Sequence, residues 1–243
     1  MNAEPLVVSL DFWNTLYAYD TAPEERRAER DSLLAQRLRH EGVADEALTA
    51  SLFDVASELI KDGWRRGTPL SRAAVATGVG QRFPSYDRNR LSQWLSFLED
   101  LYAGPLAPVP LPGAAELVDR VSSLAPLYLV SDTFFVPGRV IRHLLIRDGI
   151  FACFTGVFFS DELLVKKPDP ASLLAIAARE RIKPQQIIHV GDTLESDGEA
   201  ARACGADFLL LAPESVTAGG PVGSFAPSLP AVARMLEARL RGD

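Results

Sequence analysis

The chain has 243 residues, of which 47% are hydrophobic and 23% charged, a composition typical of a folded globular protein. Its 32 acidic and 25 basic residues give a formal charge of −7, which argues against a general nucleic-acid binder and against an anionic membrane surface as partner. No apolar run approaches the roughly 18 residues that a transmembrane helix needs. The first residues also lack the basic and apolar regions of a signal peptide, so we expect a cytoplasmic protein.

The first predicted element is a short buried strand, Val7–Leu10, which ends directly at Asp11. In open α/β sheets, ligands bind at the carboxyl ends of the strands. Taken alone, a carboxylate after a strand is more often a turn or helix cap. Asp11 therefore becomes a candidate for chemistry only through the pattern of the rest of the chain.

A block of helices is predicted after this strand, with no strand alternation between residues 23 and 104. Its leucines recur at helical spacing in four segments, 23–40, 45–61, 71–83 and 87–102. The third segment is the weakest, because Gly78 and Gly80 interrupt it. Four prolines within residues 104–113 then exclude a helix interior and predict a hinge.

Beyond residue 113, helices and strands alternate. Strands are predicted at 127–130, 156–159, 187–190 and 208–211, and helices at 113–124, 139–147, 170–181, 195–204 and 231–241, with a surface loop over 213–230. Such alternation predicts an α/β protein with a doubly wound parallel sheet. We expect one domain formed by residues 1–16 and 109–243, and an inserted all-α domain formed by residues 17–108.

Polar residues follow several of these strands. Ser131 and Asp132 follow the second strand, Lys167 lies in the loop after the third, and Asp192 and Asp197 follow the fourth. Each has an ordinary alternative role: Ser131 as a turn cap, Lys167 as a solvated charge, and Asp197 as an acidic residue at a helix start. The carboxyl ends of parallel strands share one edge of a sheet, so the joint pattern predicts one site there.

Other residues with reactive or aromatic side chains are given structural roles. Asp169 is expected to cap the following helix. His189 lies within an apolar strand and is expected to be a hydrogen-bonded core residue. Trp64 and Trp94 are expected in the core or interface of the helical block.

The order of Asp11, Ser131, Lys167 and the acidic pair Asp192 and Asp197 resembles the four motifs of the haloacid dehalogenase-like (HAD) hydrolase superfamily. The helical insertion is similar to the C1 cap of the subfamily that includes 2-haloacid dehalogenases and phosphoglycolate phosphatases. The resemblance implies a Rossmann-like HAD core, a nucleophilic Asp11 that forms an aspartyl phosphate, and catalytic roles for Ser131 and Lys167.

The resemblance also implies a magnesium site. Its ligands would be Asp11, the backbone carbonyl of Trp13, and Asp192, with Asp197 bound directly or through water. The implied substrate is a small phosphorylated molecule in contact with Trp13, Ser131 and Asp132.

One position departs from the phosphatase pattern. The family's phosphatases carry a second Asp two residues after the nucleophile, where it protonates the leaving oxygen. This chain has Trp13 there, and Asn14 replaces the usual Gly. A positioned acid–base group contributes about 10²–10⁴-fold to the rate, so the substitution bears directly on function.

Three functions remain open. A phosphohydrolase could act on a good leaving group that departs without a proton. A 2-haloacid dehalogenase releases halide without an acid, and the family's dehalogenases carry an aromatic Tyr at this position. A third alternative is a weakly active or non-catalytic binding protein. The intact pair Asp192 and Asp197 favours the first, because both would repel a dehalogenase's carboxylate substrate unless Mg²⁺ neutralised them.

Overall fold

The computed structural model describes residues 5–40, 46–84, 87–212 and 225–242. Its strands, in chain order, are β1 (Val7–Leu10), β2 (Tyr17–Ala18), β3 (Val109–Pro110), β4 (Leu127–Ser131), β5 (Gly156–Phe159), β6 (Ile187–Gly191), β7 (Asp207–Leu211) and β8 (Phe225–Ala226). Six of them form a parallel sheet in the order β5-β4-β1-β6-β7-β8. The predicted α/β class with a doubly wound parallel sheet is confirmed.

The helices cover both faces of the sheet and fill the predicted insertion. They are α1 (Pro23–His40), α2 (Glu46–Arg65), α3 (Arg72–Arg82), α4 (Arg88–Ala103), α5 (Ala114–Ser122), α6 (Gly138–Arg147), α7 (Ser160–Leu163), α8 (Ala171–Glu180), α9 (Glu199–Cys204) and α10 (Leu229–Arg241). The four helices of the insertion, α1–α4, are confirmed close to their predicted bounds. Across the described ranges, no helix combines the length and apolarity needed to cross a bilayer.

The central position of β1 explains its sequence. It lies between β4 and β6, and its four residues, Val7–Leu10, are all buried. A strand covered on both faces reads as a nearly continuous apolar run, as this one does. The register pairs Leu10 with Leu129 and Val190, so the three strands end at a common edge.

Two short strand pairings are not predicted from the sequence. β2 and β3 form an antiparallel ribbon that joins the two chain crossings between the sheet and helices α1–α4. The Pro-rich stretch predicted as a hinge supplies β3, where Pro110 occupies an edge that needs no amide donor. β8 adds a sixth strand within the stretch predicted as a loop, of which residues 213–224 lie outside the described ranges.

Helices α1–α4 contact the rest of the protein through charged and aromatic side chains. Glu99 of α4 is buried, accepts a hydrogen bond from Arg72 Nε of α3 at 3.0 Å, and forms an ion pair with Arg139 of α6. The Lys166 ammonium lies 5.0 Å from the centroid of the Trp64 ring at the end of α2. The division into domains 1–16 with 109–243 and 17–108 stays a prediction.

Gly138 begins α6 at a close approach to β5. A Cβ atom at this position would lie 2.4 Å from Phe159 Cδ2 and 2.7 Å from Phe159 Cβ, and Phe159 is fully buried. We expect Gly138→Ala to lower the free energy of unfolding by about 1–3 kcal/mol, because the helix must shift. Chemical denaturation measures the change.

A matched control for this substitution is Gly80→Ala in α3. An added Cβ there meets only Leu91 Cδ1, at an ordinary 3.4 Å, and alanine restricts the unfolded chain. We expect a stability change within about 1 kcal/mol of zero, towards stabilisation. Equal losses in both variants would contradict the close approach at Gly138.

Candidate active site

The ends of three adjacent strands meet at one edge of the sheet. Asp11 follows β1 and is 4% exposed, Ser131 is the last residue of β4, and Asp192 follows β6. The amide of Asp11 donates a hydrogen bond to Val190 O at 2.9 Å, which fixes the nucleophile candidate against the neighbouring strand. The structure therefore brings together the predicted residues that lie on separate strands.

Lys167 lies at the centre of these residues. Its ammonium donates to Asp11 Oδ1 at 2.5 Å, to Asp197 Oδ1, and to the Val130 carbonyl at 3.4 Å. The side chain is 3% exposed, so the alternative of a solvated loop charge is wrong. The Lys167 amide in turn donates to Asp132 Oδ1 at 3.2 Å, which holds the loop against β4.

A π-helical turn, Leu194–Gly198, positions Asp197 next to β6. The Thr193 amide donates to Asp197 Oδ2 at 3.1 Å. A Cβ on Gly191 would lie 2.2 Å from Asp197 Cγ, so only glycine admits this carboxylate so close to the strand. The predicted helix 195–204 is therefore correct only in its second half, where α9 begins at Glu199.

Three carboxylates converge around a single space. Asp11, Asp192 and Asp197 each place an oxygen atom within 4.8 Å of the others. Carboxylate oxygens are the ligands that Mg²⁺ prefers, and a set of this size fits that ion. The donor set therefore fits the predicted metal, while the predicted contribution of the Trp13 carbonyl stays a prediction.

Burial and charge set the ionisation of the site. Burial raises the pKa of Asp11, although the nearby Lys167 ammonium opposes that shift. Burial alone would lower the pKa of Lys167, but attraction to Asp11 and Asp197 outweighs it and leaves that pKa above its usual value. Burial also raises the pKa of Asp192, and repulsion by Asp197 adds to the effect. The one ammonium thus contacts two of the three carboxylates, Asp11 and Asp197, and the remaining negative charge favours binding of a further cation.

His189 extends the site into the core beneath the sheet edge. Its Nε2 lies 3.2 Å from Asp197 Oδ1, and its Nδ1 lies 2.8 Å from Ser9 Oγ. Because a carboxylate only accepts, Nε2 carries the proton and Nδ1 accepts from the serine hydroxyl. Burial lowers the pKa of His189, which is consistent with a neutral ring. The predicted role as a hydrogen-bonded core residue agrees with this geometry.

The sequence model of one family, described as haloacid dehalogenase-like hydrolase, matches residues 6–205. The chain belongs to this family.

Curated relatives of this HAD-like hydrolase match only in part. A phosphoglycolate phosphatase of Pseudomonas putida is 37% identical over 93 residues, which are 38% of this chain and 34% of the relative. A glyceraldehyde 3-phosphate phosphatase of Methanopyrus kandleri is 39% identical over 61 residues, 25% of this chain and 26% of the relative. The match thus spans about a third or less of either relative.

Solved structures match over nearly the whole HAD-like chain. A 2-haloacid dehalogenase of Pseudomonas syringae superposes with a TM-score of 0.67 at 17% identity, over 97% of this chain and 100% of the other. A putative HAD-hydrolase of Bacillus subtilis bound to magnesium has a TM-score of 0.57 at 16% identity, over 96% and 99%. At these identities the likeness establishes a shared fold.

Trp13 replaces the acid of the HAD phosphatases with a fixed ring. The indole Nε1 donates to the Asp132 carbonyl at 3.0 Å, and the ring stacks on Tyr19 with centroids 5.5 Å apart. The next residue, Asn14, has a φ of 52°, a conformation that Gly and Asn tolerate best, which accounts for Asn in place of the usual Gly. Asn14 Nδ2 donates to Asp192 Oδ2 at 3.3 Å.

A cavity of about 530 Å³ opens beside Trp13 and Asp132. We call it the aromatic chamber, and its walls include the rings of Trp13, Tyr19, Trp64, Tyr102, Phe134 and Phe135. Trp64 was predicted in the core or interface of the helical block, and no role was predicted for Phe134. The signal for Phe134 was its position three residues after Ser131, which places it above the same sheet edge.

The side chain of Asp169 lies outside this group. Its Oδ1 accepts a hydrogen bond from the Ala171 amide at 2.9 Å, at the start of α8, in agreement with the predicted helix cap. The Ser131 hydroxyl donates to the Asp132 carbonyl at 3.2 Å, so Ser131 lies at the site edge with its hydrogen bond directed within the loop.

The contact between Ser9 and His189 is testable by a double-mutant cycle. We expect Ser9→Ala to lower the free energy of unfolding by about 1 kcal/mol and His189→Leu by more, because each leaves buried polar groups without a partner. The double variant should lose less than the sum by about 1 kcal/mol, since Ser9 acts through His189. Urea unfolding measures all four proteins.

The control for the cycle pairs His189→Leu with Ser123→Ala. Ser123 is exposed at the end of α5 and, within the described part of the chain, shares no hydrogen-bond partner with His189. The two decreases in the free energy of unfolding should therefore add. Additivity for Ser9 and His189 as well would contradict a direct hydrogen bond between them.

Proposed function

We propose that this HAD-like hydrolase is a Mg²⁺-dependent phosphohydrolase that acts through an aspartyl phosphate on a small phosphorylated molecule with a good leaving group. The observation that carries the proposal is the convergence of Asp11, Asp192 and Asp197, two of which, Asp11 and Asp197, accept hydrogen bonds from the Lys167 ammonium. The partial relatives, which are phosphatases by name, support the same chemistry.

In the first step, a carboxylate oxygen of Asp11 attacks phosphorus and the bond to the leaving oxygen breaks. Lys167 holds Asp11 Oδ1, so the second oxygen, Oδ2, is the attacking atom. Ser131 is well placed to turn its hydroxyl from the Asp132 carbonyl to a phosphate oxygen. The leaving group departs with its electron pair as an anion.

In the second step, water attacks the phosphorus of the aspartyl phosphate and releases inorganic phosphate, which restores Asp11. The metal would be held by Asp11, Asp192, Asp197 and the Trp13 carbonyl. When bound, Mg²⁺ neutralises the charge that carboxylate and phosphate bring together. Asp197 keeps Lys167 in place through its own hydrogen bonds to Thr193 and His189.

Trp13 determines which leaving groups are compatible with this scheme. Its indole N–H is committed to the Asp132 carbonyl, and indole has no proton to give at neutral pH. An alkyl alkoxide is a poor leaving group without an acid, whereas an acyl or aryl oxyanion departs unprotonated. The proposed substrates are therefore acyl phosphates, phosphoanhydrides or aryl phosphates.

A 2-haloacid dehalogenase is the alternative of the same family. Its substrate carboxylate would have to approach Asp11, Asp192 and Asp197 together, and only Lys167 is present to offset them among the described residues at the site. Halide release from a 2-chloroalkanoate without Mg²⁺ would favour this alternative over the phosphohydrolase.

We expect Asp192→Asn to weaken Mg²⁺ binding by roughly tenfold or more, because one charge at contact distance contributes more than about 1.4 kcal/mol. Isothermal titration calorimetry measures the affinity. The matched control is Asp169→Asn, which alters an exposed helix cap and should keep the affinity of the unmodified protein. Equal affinities in all three proteins would remove Asp192 from the metal site.

The leaving-group dependence tests the role of Trp13. We expect aryl and acyl phosphates to turn over at least about 10²-fold faster than alkyl phosphates, because a positioned acid contributes about 10²–10⁴-fold where it is needed. Trp13→Asp should narrow that gap, and Trp13→Phe, which supplies no acid, should keep it. Asp11→Asn should abolish both activities. Phosphate release under single-turnover conditions measures each rate.

Equal rates on alkyl and aryl phosphates in the unmodified protein would contradict the proposal for good leaving groups. That outcome would require another acid at the site. A failure of Trp13→Asp alone carries less weight, since a misplaced carboxylate itself costs rate.

A further inference from the structure

The aromatic chamber is lined mainly by aromatic side chains that take no part in the proposed phosphoryl transfer. It is lined by Trp13, two residues after Asp11, and by Asp132, which directly follows Ser131. Its volume of about 530 Å³ falls within the range of small-molecule sites. The chamber is therefore a space into which the leaving group of a substrate attacked by Asp11 can extend.

The chamber walls present ring faces and edges. Trp64 meets Phe134 edge to face with centroids 5.9 Å apart, and Phe134 meets Phe135 in the same way at 4.7 Å. Phe134 lies in the loop between β4 and α6 and is 36% exposed, so its ring is available to a ligand. Aromatic ligands gain from such offset and edge contacts.

A second cavity, of about 290 Å³, shares Arg26, Tyr102 and Phe135 with the chamber. We call it the basic recess, and it is lined by Arg26, Arg27, Arg30 and Lys61, with Asp54 as the acidic group among its described lining residues. Four cations against one carboxylate is the reverse of the balance in the whole chain, whose formal charge is −7. The recess therefore favours an anion.

Arg26 stands where the two cavities meet. Its guanidinium carbon lies 3.7 Å from the centroid of the Tyr19 ring, and its Nη1 donates to the Thr21 carbonyl at 2.8 Å. Among the described residues, its Nε and Nη2 make no hydrogen bond. Arg30, by contrast, is committed to Asp31 through Nε at 2.9 Å and Nη2 at 2.7 Å. Arg26 is thus the cation at this junction whose donors remain to be used.

We propose that the substrate is an aryl phosphate whose ring carries a carboxylate, with the ring in the aromatic chamber and the carboxylate at Arg26. This inference rests on the proposed phosphohydrolase function and narrows its substrate class. A phenolic oxygen is a leaving group that needs no acid, in keeping with Trp13. The same ring supplies the contacts that the chamber offers, and the carboxylate matches the unused donors of Arg26.

Two substrates that differ in one group test the inference. Phenyl phosphate and 3-carboxyphenyl phosphate have leaving groups of similar acidity, because a meta carboxylate changes the phenol little. In the Mg²⁺-loaded protein we expect kcat/KM to be roughly tenfold or more higher for the carboxylated substrate, the size of one charge-assisted hydrogen bond. Arg26→Gln should bring the ratio of the two values close to one.

Arg66→Gln serves as the matched control. Arg66 is exposed just after α2 and lines neither cavity, so this variant should keep the ratio of the unmodified protein. A loss of the ratio in both variants would assign the effect to overall charge and overturn the role of Arg26.

A binding measurement separates this inference from the proposed function. Calorimetric titration with 3-hydroxybenzoate and with phenol, the two leaving groups, requires no turnover. We expect 3-hydroxybenzoate to bind roughly tenfold or more tightly than phenol, and Arg26→Gln to remove the difference.

The outcomes are distinct. Hydrolysis of both phosphates with a ratio near one would overturn the substrate class and leave the phosphohydrolase standing. The absence of phosphate release from every substrate would overturn the proposed function. In that case, tighter binding of 3-hydroxybenzoate that depends on Arg26 would support the ligand class, and equal binding of the two phenols would overturn it as well.

Discussion

The buried Lys167 ammonium is the interaction on which the site depends. A charge removed from water needs partners of opposite sign, and Asp11 and Asp197 supply them from β1 and from the turn after β6. Those carboxylates are themselves buried and need the ammonium. The parallel order β4-β1-β6 makes this mutual requirement possible, because it ends three strands at one edge. Ser9 and His189 extend the polar contacts into the core, where the imidazole donates to Asp197 and accepts from Ser9.

Trp13 links the charged and the aromatic sides of the site. Its indole N–H is fixed on the Asp132 carbonyl, while its ring stacks on Tyr19 and forms part of the chamber wall. A single residue thus removes the acid of the family's phosphatases and provides a surface for a ring. Under the proposed function these two effects agree, because a phenolic leaving group departs without a proton and its ring can pack against the indole.

The sequence predicts the features that depend on the periodicity of apolar residues and on the order of the motifs along the chain. The strands of the sheet centre and helices α1–α4 lie close to their predicted bounds, since long apolar patterns identify them, and the family resemblance brings Asp11, Lys167 and Asp192 together. Two-residue strands such as β2, β3 and β8 have no period to detect. The orientation of Trp64 depends on a contact with Lys166 from a distant segment. The left-handed backbone of Asn14 and the free donors of Arg26 depend on the geometry of the segment between β1 and α1, which has no periodic pattern.

Glu99 lies at the contact between α4 and α6 and is paired with two arginines. Its buried carboxylate has one cation on each side, Arg72 from the same group of helices and Arg139 from the sheet side. A separation of α4 from α6 would break the ion pair with Arg139, yet the carboxylate would keep Arg72 and the charge would not be left alone in an apolar surface. The contact between α4 and α6 therefore contains one ion pair that can break and one that stays formed. Each time the helices separated, Arg72 would still neutralise the Glu99 carboxylate.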